Sequence, residues 1–428
     1  MLFKNIGIVD ENFDYVKSMF VETKDDRIVY VSSVRPENYE GEEYDGTGKV
    51  LMPGFVNAHS HSPMTLLRGY AENLPLQRWL NEKVFPFEDR IKGEDAYYSS
   101  MLAIAEMLRY GTVSFSDMYF FSENVAKAVT DSGIKCNFSR AITSFEDTDI
   151  ENLQSFRESE DIVKRFHNAA DGRLKIDMSL HAEYTNRRTI IEQFAEKVRE
   201  RGLRAHIHLS ETKKEHEECK AKYSLTPTQL FCECGVFDVP TTAAHCVWVE
   251  DGDIELLREK GLPAATCPAS NLKLGSGICD VYKLLKSGVN VAIGTDSVAS
   301  NNNLNMIKEM FLCALLPKGL HNDASVVSER DILKMANKAQ GREDSGAIKA
   351  GYKADLCVLN IESEHMYPQT DMINNLVYAA DGADVVLTMA DGRVLYKDGE
   401  FTTIDIEKVK STVNAAASRI ISEVKKNG

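Results

Sequence analysis

Met52-Pro53-Gly54-Phe55-Val56-Asn57-Ala58-His59-Ser60-His61 is a short apolar run that opens on Pro-Gly and breaks into two histidines one residue apart. Its β-forming residues behind a turn signal read as a strand. In extended chain, residues two apart point to the same side, so both imidazoles can approach one cation. Neutral imidazole is a good ligand for Zn²⁺ and Fe²⁺. Alone, the pair reads equally well as two polar loop histidines, so partners elsewhere in the chain must decide.

Downstream, short β-branched runs alternate with longer amphipathic stretches, the pattern of βα units and a parallel sheet. Candidate strands fall near Gly54–Ala58, Thr112–Ser116, Lys135–Ser139, Lys175–Leu180, Arg204–Leu209, Thr241–His245, Pro263–Cys267 and Asn290–Gly294. Helical stretches such as Tyr97–Tyr110 and Ile190–Arg201 lie between them. Eight such units close a (β/α)8 TIM-type barrel, which demands chemically capable residues at the C-terminal strand ends. The ends carry His59 and His61, Asp117, Arg140, His181, His208 with Glu211, His245, Ser270-Asn271, and Asp296.

Both termini read differently. Arg27–Val31 and Glu43–Leu51 form strand and turn patterns, and Ala354–Leu359, Val385–Met389 and Arg393–Tyr396 repeat them near the end. These segments predict a small β-sandwich domain built from both chain ends, residues 1–53 and 346–428, around a barrel of residues 54–345. The tail from Ile404 to Lys426 has helical periodicity.

Composition narrows the function. A formal net charge of −15 argues against a polyanionic partner, so no nucleic acid is expected. No apolar run reaches the roughly 18 residues that span a bilayer, so no membrane partner is expected either. Nine cysteines without framework spacing, and an N-terminus without a signal-peptide pattern, point to the cytoplasm.

The run Pro53 to His61 is similar to the opening motif of the amidohydrolase superfamily, P-G-F-[VI]-[ND]-x-H-x-H. His206-Ile207-His208-Leu209-Ser210-Glu211-Thr212 and Ile293-Gly294-Thr295-Asp296-Ser297 resemble its later ligand segments. Gly346-Ala347-Ile348-Lys349-Ala350-Gly351-Tyr352-Lys353-Ala354-Asp355-Leu356 resembles the return into its small β-domain. The resemblance implies one divalent ion, zinc with iron or manganese as alternatives, held by His59, His61, His208 and Asp296. It implies catalytic roles for Glu211, His245 and Asp296. His206 shares its strand face with His208 but lies deeper, as a supporting or core histidine. Binuclear members carry a modified lysine at the end of strand four, where this chain has His181, which favours a single metal.

Ser62-Pro63-Met64-Thr65-Leu66-Leu67-Arg68-Gly69 and the segment Trp79–Arg90 narrow the resemblance to the 5′-methylthioadenosine/S-adenosylhomocysteine deaminase family. The implied reaction converts an adenosine derivative (5′-methylthioadenosine, S-adenosylhomocysteine, 5′-deoxyadenosine or adenosine) to the inosine derivative and ammonia. Trp79 would form an apolar wall, Glu88 would bind the ribose hydroxyls, and Arg140, His181 and Ser300 would line the nucleoside pocket. Members that use S-adenosylhomocysteine carry a second arginine where this chain reads Ser144-Phe145-Glu146-Asp147-Thr148-Asp149-Ile150-Glu151-Asn152. Two rival readings stand: hydrolysis of a free heterocycle, as in guanine deaminases and triazine hydrolases, and a non-catalytic scaffold on the same fold. The family resemblance also allows a homo-oligomer.

Overall fold

The computed structural model describes residues 1–74, 76–338 and 341–427. It is an α/β fold of parallel sheets in which every predicted central strand forms: Phe55–Ser60, Thr112–Met118, Lys135–Ser139, Leu174–Ile176 with Met178–Leu180, Ala205–Leu209, Thr241–His245, Pro263–Thr266 and Asn290–Ile293. They are called strands one to eight below. The fourth is divided at Asp177. Its first piece pairs with strand three and its second with strand five, so pairing passes from one neighbour to the other at that residue.

The strands form a four-stranded sheet (four, three, two, one) and a six-stranded sheet running from eight through to the second piece of four and the short strand Ala141–Ile142. The ends of strands one and eight also meet. Asp296 N–H donates to the His59 carbonyl at 2.9 Å, and Ser60 and Asp296 form a parallel bridge. The Asn57 side chain reinforces this contact, donating to Thr295 Oγ1 at 2.7 Å and accepting from Thr295 N–H at 2.9 Å. Gly294 allows the approach, because a Cβ there would lie 2.8 Å from the His59 backbone nitrogen.

The two chain ends meet in a nine-stranded mixed sheet, where Lys49–Pro53 pairs antiparallel with Leu356–Asn360. Phe3, Ile6, Ile8, Val21, Ile28, Leu51, Leu356, Val358, Leu387 and Met389 give this sheet its own buried cluster. Only Gly54 separates it from strand one. The C-terminal helix, Ile406–Asn427, packs instead along the helix Gly93–Arg109, where Val409, Val413 and Ile420 join a cluster with Ile104 and Leu108. Among the described residues no helix is long and apolar enough to cross a membrane, and all nine cysteines are free.

Candidate active site

Five of the chain's ten histidines (His59, His61, His181, His208 and His245) gather at the C-terminal ends of strands one, four, five and six, with His206 beside His59 but deeper in strand five. Strand one reaches the site through a register irregularity between Asn57 and Ser60, the stretch that holds His59. Such irregularities re-aim side chains beside functional sites. The resulting His59 and His61 rings stand edge to face with centroids 4.8 Å apart.

Hydrogen bonds to Nδ1 fix how the ligand candidates face. A carbonyl can only accept, so His61 Nδ1–H donates to the Met118 carbonyl at 2.5 Å and His208 Nδ1–H to the His181 carbonyl at 2.7 Å. Each Nε2 is then left as a lone-pair donor turned toward the shared centre. His59 Nδ1 lies 2.9 Å from His206 Nε2, and His59 Nε2 is buried with no hydrogen-bond partner. Asp296 Oδ1 completes the group, 3.6 Å from His59 Nε2 and 3.2 Å from His61 Nε2, while His208 Nε2 is 3.4 Å from His61 Nε2. Ligand atoms of His59, His61 and Asp296, and of His59, His208 and His245, lie within 4.8 Å of one another. A buried nitrogen without a partner, facing an anionic oxygen and further imidazoles, suits a divalent cation.

Electrostatics favour the ligating forms of His59, His208 and Asp296, whereas at His61 burial is outweighed by the hydrogen bond and charge of Asp296, which raise its pKa to about 9. Burial pushes His59 and His208 well below the usual histidine range, keeping them neutral. Burial works against ionisation of Asp296, but hydrogen bonding and charge from His61 win and hold its carboxyl low. Asp296 Oδ2 accepts from Ser270 Oγ at 2.5 Å and from Ser300 Oγ at 2.9 Å. The Ser300 hydroxyl is therefore engaged in holding Asp296 as well as lining the cavity.

Beside this group, Glu211 follows strand five and His245 ends strand six. His245 Nδ1–H donates to Asn271 Oδ1 at 2.9 Å, which turns Nε2 inward, 3.9 Å from Glu211 Oε2. Glu211 Oε1 accepts from Ser276 Oγ at 3.1 Å, and burial raises its pKa. Ser210, His245, Cys246 and Asp296 all have positive φ, between 46° and 73°. Left-handed backbone at non-glycine residues costs about 1–3 kcal/mol each and persists where the surroundings hold it. Here it turns the chain sharply just past the strand ends.

A cavity of about 350 Å³ opens from these groups. Trp79, Glu88, Arg140, His181 and Ser300 all line it. The π-helical turn Leu80–Val84 shapes one wall. Residues five apart share a face in such a turn, which explains how Trp79 with Val84, and Leu80 with Phe85, reach the same cavity. The Trp79 indole N–H is satisfied by the Ala71 carbonyl at 3.1 Å, so its ring serves as an apolar surface. Tyr119 O–H donates to Glu88 Oε1 at 2.5 Å, and burial raises Glu88 to about 7. Burial lowers His181 to about 4, leaving a neutral ring.

Arg140 is already engaged: its Nε donates to Glu158 Oε2 at 2.7 Å and its Nη1 to the Ala141 carbonyl at 2.6 Å. The supporting residues Tyr119 and Ser276 carry no sequence signal, since a lone Tyr or Ser has no motif to mark it. Asn57 and His206 lie within the quoted motifs, and only the fold reveals what they hold.

Comparison with known proteins agrees with this geometry. Residues 50–395 match the model of the Amidohydrolase family. The chain is 44% identical over 383 residues, 89% of each chain, to the 5-methylthioadenosine/S-adenosylhomocysteine deaminase of Dictyoglomus thermophilum. It is 39% identical over 400 residues, 93% of each, to the 5′-deoxyadenosine deaminase of Methanothermobacter thermautotrophicus. A zinc-bound adenosine deaminase from Xanthomonas campestris superimposes with a TM-score of 0.92 at 28% identity, covering 98% of both chains. With residues 50–395 matched by the family model and 89% of its length covered by a relative 44% identical, the chain belongs to the amidohydrolase family.

Proposed function

We propose that the chain is a metal-dependent deaminase that hydrolyses the 6-amino group of an adenosine derivative, releasing ammonia and the inosine derivative. One observation carries this reading: residues of the His/Asp group, Glu211 and His245 line one cavity together with Glu88, a carboxyl bound by the Tyr119 hydroxyl. A carboxylate suits the two hydroxyls of a ribose, since it accepts two charge-assisted hydrogen bonds. A free heterocycle offers no such diol.

In this reading His59, His61, His208 and Asp296 hold one divalent ion, zinc by the zinc-bound relative. When bound, such an ion supplies Lewis-acid activation of water at neutral pH. Glu211, its carboxyl kept protonatable by burial, carries protons to the ring nitrogen and on to the departing amine. His245, held by Asn271, directs Nε2 at the reacting carbon and stabilises the attacking oxygen. Asp296, anchored by Ser270 and Ser300, takes up the proton released from water. Water is consumed and ammonia leaves.

The architecture we propose is a closed (β/α)8 barrel of residues 54–345, supported by the strand-one to strand-eight contacts, with a small β-sandwich from residues 1–53 and 346–428, the latter also carrying the C-terminal helix, supported by its own apolar cluster. The free cysteines fit a cytoplasmic enzyme. The test is ammonia release by metal-reconstituted protein from adenosine, 5′-deoxyadenosine, 5′-methylthioadenosine, S-adenosylhomocysteine, guanine and cytosine. Release from adenosine derivatives, abolished by chelation and restored by the ion, is expected. A metal-loaded protein inert toward all of them would overturn the reading.

A further inference from the structure

Resting on the deaminase reading above, we propose that Glu158 sets substrate choice by neutralising Arg140, so that the cavity prefers adenosine derivatives whose 5′ substituent carries no carboxylate. Arg140 is the one lysine or arginine among the described residues that line the cavity. Its Nε is bound to Glu158 Oε2 at 2.7 Å, and its Nη1 to the Ala141 carbonyl at 2.6 Å. Side-chain exposures of 21% and 39% place this pair at the rim, where a substrate carboxylate would have to compete with Glu158.

The loop that continues from the cavity wall is acidic, with Glu151 paired to Lys197 at 2.7 Å. The chain leaves the cavity wall at Thr143 and then carries Glu146, Asp147, Asp149 and Glu151. The nearby arginines do not compensate. Arg157 donates to the Glu151 carbonyl, Arg187 to the Phe145 carbonyl, and Arg188 pairs with Glu192 and Glu233. None of the three lines the cavity. An incoming carboxylate meets one compensated cation and an acidic loop, whereas a methylthio group or a hydrogen meets apolar wall. Like-charge juxtaposition discriminates between ligands as effectively as an added attraction.

The experiment compares kcat/KM for S-adenosylhomocysteine and 5′-methylthioadenosine in the metal-loaded wild type, Glu158→Gln and Glu158→Ala. Wild type should favour 5′-methylthioadenosine. Both variants should raise the S-adenosylhomocysteine to 5′-methylthioadenosine ratio by roughly tenfold, the equivalent of about 1.4 kcal/mol. The gain should appear in KM for S-adenosylhomocysteine and shrink with added salt, because an exposed charge pair is screened. A simple structural defect would depress both substrates together. An unchanged or lowered ratio, with 5′-methylthioadenosine still turned over, overturns the role of Glu158 alone. A wild type inert toward every adenosine derivative overturns the underlying function instead.

Discussion

At the scale of single residues, two carboxyl groups in one cavity have environments suited to different tasks. Glu211 is buried beside His245, and its raised pKa suits a group that both gives and takes protons. Glu211→Gln keeps the shape and loses the proton, so kcat should fall about 10²–10⁴-fold while bound metal, measured by elemental analysis, stays near one per chain. Glu88 is raised to about 7 by burial, against the lowering effect of the Tyr119 hydroxyl. Below that pH the carboxyl is neutral and accepts poorly; above it, in the proposed role, the carboxylate accepts both ribose hydroxyls. KM for an adenosine derivative should therefore fall as pH rises through about 7. In Glu88→Gln that pH dependence should vanish and KM should stay high, which steady-state kinetics from pH 6 to 8.5 would show. A Glu88→Gln enzyme that keeps the wild-type KM profile would falsify the ribose role.

At the scale of elements, the site depends on how closely strands can approach and on what stands behind each ligand. Gly294 is needed because a Cβ would press on the His59 backbone at 2.8 Å. Gly294→Ala should cost about 1–3 kcal/mol through this overpacking and weaken metal binding, read by a lowered melting temperature and a competitive chelator titration. His206 acts through His59, holding Nδ1 at 2.9 Å. Loss of an outer partner of a metal ligand typically weakens metal affinity 10–100-fold. His206→Phe should do so with little change in fold by circular dichroism; unchanged affinity would make His206 a packing residue only. The helical patterns Tyr97–Tyr110 and Ile190–Arg201 were legible because their apolar spacing is regular, and they form as Gly93–Arg109 and Arg188–Arg201. The π-helical turn Leu80–Val84 was not legible. A π turn differs from an α turn by one inserted residue, and no residue preference marks it.

At the scale of the whole molecule, the chain ends are fastened to the central strands by charge as well as by apolar contact. Lys135, at the start of strand three, binds Asp355 at 2.5 Å and Asp391 at 2.7 Å, with all three side chains at most 9% exposed. Asp355 also accepts from Asp391 N–H at 2.9 Å and from Ser345 Oγ at 2.6 Å. Removing one partner of a buried pair leaves uncompensated charge, typically costing about 3–5 kcal/mol. Lys135→Met should lower the unfolding free energy by about that amount in denaturant titration. The triple replacement of Lys135, Asp355 and Asp391 by apolar residues should recover much of it. Equal losses in the two variants would mean that packing, rather than charge, dominates there.

The amino-acid sequence by itself determined the order of strands and helices, because periods of two and of 3.6 are local properties of the chain. It also placed the candidate site residues at strand ends, since the H-x-H motif and its distant His and Asp partners are written in order. Only the tertiary structure decided which imidazole nitrogen faces the centre. That choice belongs to the Met118 and His181 carbonyls and to His206, which lie far from their histidines along the chain. It likewise decided that Arg140 meets Glu158, eighteen residues on, rather than standing free in the cavity. Pairing, burial and pKa arise from what folding brings together, and no local pattern records them.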